Sequence, residues 1–224
     1  MWNRQNLKEA AKKAFKNNYW VSVVSALILG AVIAGVATYV SVNTGSSVNE
    51  SFTDGAVTVG SFAGVASIVT LLINVFVCRP LEIGGRQFFL NNSEGRANIS
   101  DFIRPFQTNY MNNVLTMFLR DLFIGLWSLL LIVPGIIKTY AYSMVPYILA
   151  ENPQMDAMEA IRLSERMMKG HKWNAFVLDL SFIGWFILSG LTLGLVGVFY
   201  VNPYFYATDA ELYKAIKAEY VSRA

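Results

Sequence analysis

Two aspartates inside otherwise apolar stretches are the residues of this sequence best placed to do chemistry. Asp121 begins the stretch DLFIGLWSLLLIVPGIIK, and Asp179 begins DLSFIGWFILSGL. An ionisable group in such a stretch usually faces a bundle interior or a watery cavity, which predicts an ion or proton site. The alternative is an interfacial carboxylate paired with Arg120, Arg79 or Arg86. The sequence favours this alternative, because helix ends tolerate charge better than the middle of a membrane does.

Lys138 and three prolines are the other features of these stretches that could bear on function. Lys138 follows the Pro134-Gly135 turn by four residues. It could face a pore, but a lysine that snorkels to the outer headgroups is the favoured interpretation. Pro80, Pro146 and Pro203 predict helix kinks. Each kink either lines a binding cavity or bends a helix where it leaves the membrane, and the bend is favoured.

Catalytic and metal-binding motifs are missing from the sequence. It contains no nucleophile elbow, no Walker motif and no carboxylates at metal-ligand spacing. A single cysteine, Cys78, and a single histidine, His171, cannot build a disulfide framework or a Cys/His metal cluster within one chain. We therefore expect no enzyme activity, no catalytic residues, no cofactor and no metal, and no nucleic-acid partner.

The composition indicates a membrane protein. Of the 224 residues, 54% are hydrophobic and only 15% are charged, against about 25% charged in soluble domains. Residues Trp20–Val42 and Ala56–Cys78 carry no charge. Each exceeds the roughly 20 residues that a helix needs to cross a hydrocarbon layer of about 30 Å. Both stretches are predicted transmembrane helices.

The placement of the charges predicts the topology. All of the 18 Lys and Arg residues except Arg120 and Lys138 lie in four segments, at residues 1–19, 79–113, 151–173 and 209–224. By the positive-inside rule these segments are cytoplasmic, and the loop Asn43–Gly55 is external. The long apolar regions between the basic segments must then cross the membrane an even number of times. Residues 111–150 and 174–207 are therefore predicted to form hairpins. Because each crossing has only about 16 residues, the hairpins either start within the cytoplasmic interface or are partly re-entrant.

Amphipathic segments are expected on the cytoplasmic side. Leu7, Ala11 and Phe15 share one helical face, and Ile99, Phe102 and Phe106 share another. A third segment follows Glu151. Basic residues flank the first and third segments and are candidate contacts for anionic lipid headgroups: Lys8, Lys12, Lys13, Lys16, Arg162, Arg166, Lys169 and Lys172. An interfacial helix that only anchors the fold is the favoured interpretation of the first segment.

Similar phrases recur along the chain and predict internal repeats. Residues 15–20, 106–111 and 168–173 open each unit, and Pro80, Pro146 and Pro203 close it. The units cover approximately residues 1–85, 97–150 and 157–207, followed by a cytoplasmic tail helix at 208–224. The predicted fold is one all-α membrane domain of six transmembrane helices, arranged as three hairpins in parallel repeats with both termini cytoplasmic.

The chain resembles a family of small bacterial integral membrane proteins, the domain of unknown function 975. The resemblance rests on Pro134-Gly135-Ile136-Ile137-Lys138, Ala150-Glu151-Asn152-Pro153 and Met168-Lys169-Gly170-His171-Lys172-Trp173, together with LKEAAKKAFKNNYW near the N-terminus. It implies a multi-pass plasma-membrane protein and no particular activity. More distantly, the chain is similar to the membrane domain attached to some glycerophosphodiester phosphodiesterases, although the phosphodiesterase domain itself is absent from this sequence.

The expected function follows from these observations. We expect a non-enzymatic accessory or scaffold protein of the plasma membrane that binds anionic lipid, a membrane protein partner or a second copy of itself. The alternative is a transporter or channel in which Asp121, Asp179 and the kinks at Pro146 and Pro203 line a path. A water-filled cavity that reaches both aspartates would favour transport, whereas ion-paired aspartates in a closed bundle would favour the scaffold.

Overall fold

The computed structural model describes residues 2–31 and 69–223, and these residues form helices joined by short turns. No β-strand occurs within these two ranges, which confirms the all-α class. The helices are α1 Arg4–Asn17, α2 Tyr19–Ala31, α3 Arg79–Ser93, α4 Arg104–Gln107, α5 Tyr110–Leu130, α6 Ile132–Ala141, α7 Val145–Glu151, α8 Ala157–Met167, α9 Lys172–Leu180, α10 Ile183–Leu191 and α11 Asn202–Val221. The predicted external loop and parts of the first two predicted spans lie outside the described residues.

Helix α1 has the amphipathic face that the sequence predicts. Asn3 caps its first turn by accepting a hydrogen bond from the Gln5 backbone N–H at 2.9 Å. Leu7, Ala11 and Phe15 are buried. This face packs against α11 within the protein. The N-terminal end is held by Trp2, whose indole N–H donates to His171 Nδ1 at 3.2 Å.

Helix α3 lies at the centre of the described structure. It packs against α7 and α11, and it also contacts α1 and α5. Its residues Ile83 and Phe88 are almost fully buried. Next to it, the rings of Tyr147 on α7 and Tyr213 on α11 stack with their centroids 5.0 Å apart. The core is therefore formed where the exits of the three predicted units meet.

Two helical stretches of the described residues are long and apolar enough to cross a membrane: Tyr110–Leu130 and Lys172–Leu191. The 21 residues of α5 extend over about 32 Å. The returning helix α6 has 10 residues, or about 15 Å, and it ends at a turn before α7 begins. Six crossings stay a prediction, because the described residues hold two stretches of this kind. The second hairpin returns as a broken helix.

Helix α8 packs beside the second hairpin, a placement that the sequence did not predict. Ser164 donates to the Ala141 carbonyl at 2.8 Å and accepts from the Met144 backbone N–H at 3.2 Å. Lys138 Nζ lies 2.6 Å from a carboxylate oxygen of Glu165. The expectation that Lys138 snorkels to the outer headgroups while α8 stays on the cytoplasmic side must be corrected, because this contact places both residues at one level.

The short segment at residues 99–107 also differs from its prediction. It forms a 3-10 turn, Ile99–Phe102, followed by the four-residue helix α4, instead of one amphipathic helix. Phe102 is buried, whereas half of Ile99 is exposed. Pro105 provides the reason, since it has no backbone N–H and cannot continue a hydrogen-bonded helix through this point.

The predicted kinks at Pro80 and Pro203 share one construction. Each proline follows a five-residue π-helical turn, Asn74–Cys78 before Pro80 and Gly197–Val201 before Pro203. A proline cannot donate to the carbonyl four residues earlier, which is that of Phe76 or Phe199. Tyrosine hydroxyls reach these two carbonyls. Tyr110 donates to Phe76 O at 2.7 Å, and Tyr19 donates to Phe199 O at 3.1 Å.

The third predicted kink, at Pro146, is built differently. Pro146 stands in the first turn of α7, where a missing N–H is tolerated. The carbonyl four residues earlier, that of Tyr142, accepts from the Val145 backbone N–H at 3.2 Å in the turn between α6 and α7. The break at Pro146 is therefore a true helix end, whereas Pro80 and Pro203 lie within continuous helical segments.

We predict that the Tyr110 hydroxyl stabilises the folded protein, because Pro80 leaves the Phe76 carbonyl without its helical donor. Tyr110→Phe should lower the free energy of unfolding by about 1–2 kcal/mol, since a carbonyl in an apolar environment loses a hydrogen bond. Thermal unfolding of the purified protein in detergent measures this loss. In a Pro80→Ala background the backbone N–H is restored, and Tyr110→Phe should then cost clearly less. Equal costs in the two backgrounds would contradict this account.

Candidate functional site: a charged cavity between helices

A partly buried network of four charged residues joins α3 to α5. Glu82 on α3 accepts from Arg79 at 3.0 Å and from Arg120 at 3.3 Å. Asp121 accepts from Arg79 at 2.6 Å and from Arg120 at 2.9 Å. Only 6% of Glu82 and 8% of Arg120 are exposed. Two carboxylates and two guanidinium groups therefore neutralise each other where the two helices meet.

A second ion pair joins α3 to α11. Arg86 donates to Asp209 Oδ2 at 2.9 Å and to the Tyr147 hydroxyl at 3.2 Å. Its guanidinium also lies 5.4 Å from the ring centroids of Tyr147 and Tyr206, which is within cation–π range. Within the described residues, Arg86 Nε is buried without a hydrogen-bond partner. Arg86 is thus fixed between two helices by charge and by aromatic rings.

The two ion-paired groups form one wall of a cavity of about 220 Å³. Asp179 on α9 also lines the cavity, and the Tyr140 hydroxyl donates to its Oδ2 at 2.8 Å. Residues of six helices and of the α6–α7 turn line the cavity. They are Glu82, Arg86, Arg120, Ile124, Thr139, Tyr140, Tyr142, Ser143, Met144, Tyr147, Ala175, Asp179, Asp209 and Leu212.

The structure separates the two aspartates that the sequence singled out. Asp121 belongs to the ion network with Arg79 and Arg120, which is the pairing that the sequence favoured. Asp179 lines the cavity instead. Arg120 belongs both to the network and to the cavity lining, whereas Lys138 lies outside the cavity and binds Glu165.

The basic residues proposed as lipid contacts lie on two separate surfaces. On α1, Lys12 and its neighbours Lys13 and Lys16 are exposed, whereas Lys8 is half-buried with its ammonium 4.5 Å from the Phe182 ring centroid. The others line an open groove beside α8, formed by Arg162, Glu165, Arg166, Lys169 and Lys172.

Glu82 and Asp209, which complete the site, were not among the predicted site residues. A signal existed for Glu82, because Arg79, Glu82 and Arg86 follow each other at helical spacing and so share one face of α3. Asp209 stands six residues after Pro203, the same offset as that of Arg86 from Pro80. This common offset was the available signal, and the two residues at that offset bind each other.

The charges around Glu82 determine its protonation state. Burial alone would raise the pKa of Glu82, but the guanidinium groups of Arg120, Arg79 and Arg86 outweigh burial and lower it to about 2. Burial would lower the pKa of Arg86, but the Tyr147 hydroxyl, Asp209 and Glu82 raise it instead. Glu82 and Arg86 are therefore charged at neutral pH.

The cavity lacks the features of a metal centre. Across residues 2–31 and 69–223, no group of three or more His, Cys, Asp or Glu side chains is arranged to hold a metal ion. Asp179 and Asp209 are the carboxylates of the lining outside the Glu82 network. Two carboxylates in a cavity that tyrosine side chains also line can bind an organic cation or share a proton.

The fold and site define an all-helical protein with apolar hairpins and a charged interior. Residues 129–220 match the family model described as "Protein of unknown function (DUF975)". This match covers the second hairpin from its tip, α8, the third hairpin and most of α11, and it supports the resemblance noted from the sequence. No curated protein and no solved structure matches the chain. The more distant similarity to phosphodiesterase membrane domains stays a prediction.

Glu82→Gln should destabilise the protein at neutral pH by roughly 3 kcal/mol. The substitution leaves buried guanidinium groups without one of their two carboxylates. Because the pKa of Glu82 is lowered from 4.5 to about 2 in the folded protein, its contribution is full above pH 4.5 and is lost as the pH falls toward 2. The stability difference between the wild-type protein and the variant should shrink over that range in thermal unfolding measurements.

The matched control is Glu94→Gln. Glu94 is exposed and pairs with the exposed Arg96, so its removal should change stability by less than about 1 kcal/mol at any pH. A Glu82→Gln defect of the same size at pH 7 and at pH 3 would contradict the assigned role of the ion network.

Proposed function

We propose that this chain is a non-enzymatic multi-pass protein of the plasma membrane with both termini in the cytoplasm. The exposed apolar residues of the hairpin tips support the proposal. Between 62% and 87% of each side chain from Leu129 to Val133 is exposed, and Leu193 at the other tip is 95% exposed. An apolar surface of this kind is stable where lipid covers it. The ion pairs of Glu82 with Arg120 and of Arg86 with Asp209, by contrast, lie where α3 meets α5 and α11.

The proposal includes three parallel repeats, and two contacts support them. Tyr19 and Tyr110 hold the same position in the opening phrases of the first two units. Each donates to the carbonyl four residues before the closing proline of another unit, as described for Pro203 and Pro80. Equivalent positions thus make equivalent contacts between units, which is expected of repeats arranged around a common axis.

We further propose that the protein binds anionic lipid through the groove beside α8. One observation carries this proposal. Arg162, Arg166 and Lys169 are exposed, and no acidic residue in the described part of the chain forms an ion pair with them. The acidic residue of the groove, Glu165, is already bound by Lys138. The groove therefore presents an excess of positive charge beside the apolar hairpin.

Neighbouring residues support a position of the groove at the depth of the lipid headgroups. Trp173 begins the third apolar region directly after Lys172, and 70% of its side chain is exposed. Tryptophan and basic residues together are typical of the membrane–water interface. Basic residues at this level gain about 1 kcal/mol each from an anionic lipid surface. A lipid phosphate is therefore the ligand that fits the groove.

The alternative function, a transport path that uses both Asp121 and Asp179, is less well supported. A cavity reaches Asp179, as transport would need. Asp121 is instead held by two guanidinium groups, which leaves it no freedom to bind a passing ion. The lipid-binding accessory protein is therefore the function that the geometry favours.

The test removes three positive charges from the groove. The triple variant Arg162→Gln, Arg166→Gln, Lys169→Gln should bind phosphatidylglycerol at least tenfold more weakly than the wild-type protein does. Three contacts of about 1 kcal/mol each allow a loss of this size after screening by salt. Native mass spectrometry of the detergent-purified protein, titrated with phosphatidylglycerol and separately with phosphatidylcholine, measures the bound lipid.

The chain provides a control of equal charge. The triple variant Lys12→Gln, Lys13→Gln, Lys16→Gln removes the same charge from exposed positions of α1. It should retain most of the phosphatidylglycerol affinity. If both triple variants lose affinity equally, the binding depends on net charge alone and the groove is not the site. Equal binding of phosphatidylcholine by the wild-type protein would also contradict the proposal.

A further inference from the structure

We propose that the cavity lined by Asp179 and Asp209 is a binding site for a small organic cation, a protonated primary amine. This site is separate from the lipid groove, shares no residue with it and goes beyond the lipid-binding function. Its ligand is identified by the charge, the aromatic lining and the size of the cavity.

The carboxylates that line the cavity outnumber its guanidinium groups. Three carboxylates line the cavity, those of Glu82, Asp179 and Asp209, but only two guanidinium groups do, those of Arg86 and Arg120. Glu82 pairs with Arg120, and Asp209 pairs with Arg86. Asp179 makes no ion pair with any residue of the described ranges, so its carboxylate, when ionised, lacks a cationic partner.

The environment makes a carboxylate without a cationic partner costly. A carboxylate taken out of water is unfavourable unless a cation compensates it. Burial raises the pKa of Asp209, although Arg86 opposes that effect. The cavity therefore resists a second negative charge near Asp209, and a monovalent cation at Asp179 would compensate that charge.

A hydrogen bond fixes the orientation of the Asp179 carboxylate. The Tyr140 hydroxyl donates to Oδ2 of this residue at 2.8 Å and so fixes the carboxylate at the cavity surface. The side chains of Asp179 and Asp209 are partly exposed, so a ligand can reach them. A fixed carboxylate loses little conformational entropy on binding, which favours a directed N–H···O contact with an ammonium group.

The aromatic lining and the volume of the cavity suit an organic cation. The side chains of Tyr140, Tyr142 and Tyr147 line the cavity, and tyrosine rings attract organic cations through their faces. The volume of about 220 Å³ compares with about 30 Å³ for one water molecule. A bare metal ion would leave most of this space empty. An ammonium group with a short alkyl chain fills it and contacts the rings.

The experiment titrates the full-length protein in lipid nanodiscs with n-butylammonium chloride at pH 7.5 and measures binding by calorimetry and by the shift in melting temperature. Butylammonium should bind saturably at one site per chain. The neutral analogue n-butanol and sodium chloride should not produce a saturable shift. Asp179→Asn, which keeps the shape of the side chain, should weaken butylammonium binding at least tenfold.

Two further variants keep the test decisive. Tyr140→Phe retains the ring but releases the carboxylate, so it should weaken binding several-fold even if Asp179→Asn does not fold. Asp156→Asn removes an equal charge at an exposed helix cap, where asparagine caps as well, and should leave binding unchanged. The proposal is overturned if butylammonium does not saturate, if butanol or sodium binds equally well, or if Asp179→Asn and Tyr140→Phe bind as the wild-type protein does.

Discussion

The need to pair the buried charges of Glu82, Arg120 and Arg86 determines how the helices around α3 are arranged. Glu82 and Arg120 are almost fully buried, and each would destabilise the protein if its partner were absent. The network around them ties α3 to α5, and the pair of Arg86 with Asp209 ties α3 to α11. Helix α3 is therefore central because it supplies the charged residues that the other helices must meet.

The second hairpin shows how a broken helix is accommodated in this frame. Its return limb stops at the turn after Ala141, which would leave backbone groups unpaired in an apolar environment. Ser164 of α8 satisfies one carbonyl and one N–H of that turn. The break is thus stabilised by a neighbouring helix, and it brings Tyr140 and Tyr147 to the same cavity. The tyrosine contacts at Phe76 and Phe199 solve the same problem at the π-helical turns.

Local patterns in the sequence predicted the helices better than they predicted the contacts between helices. The spacing of Leu7, Ala11 and Phe15 predicted the buried face of α1. Of the three prolines, Pro146 marks a helix end, whereas Pro80 and Pro203 lie in continuous helical segments. The contact of Lys138 with Glu165 was not predicted, because counting residues from a turn says nothing about which helix packs alongside. Arg86 and Asp209 are 123 residues apart, so no local pattern pairs them. Their equal offset from a proline becomes informative once the repeats are aligned.

The central claim is that the charged segments share the cytoplasmic side while the apolar hairpins lie in lipid. Labelling with a membrane-impermeant maleimide tests it most directly. Ser47→Cys, Lys169→Cys and Lys217→Cys are introduced one at a time into a Cys78→Ser background, because Cys78 is the single cysteine. On intact cells the account predicts labelling at position 47, with positions 169 and 217 labelled only after permeabilisation. Labelling at 169 or 217 on intact cells, with 47 protected, would contradict it.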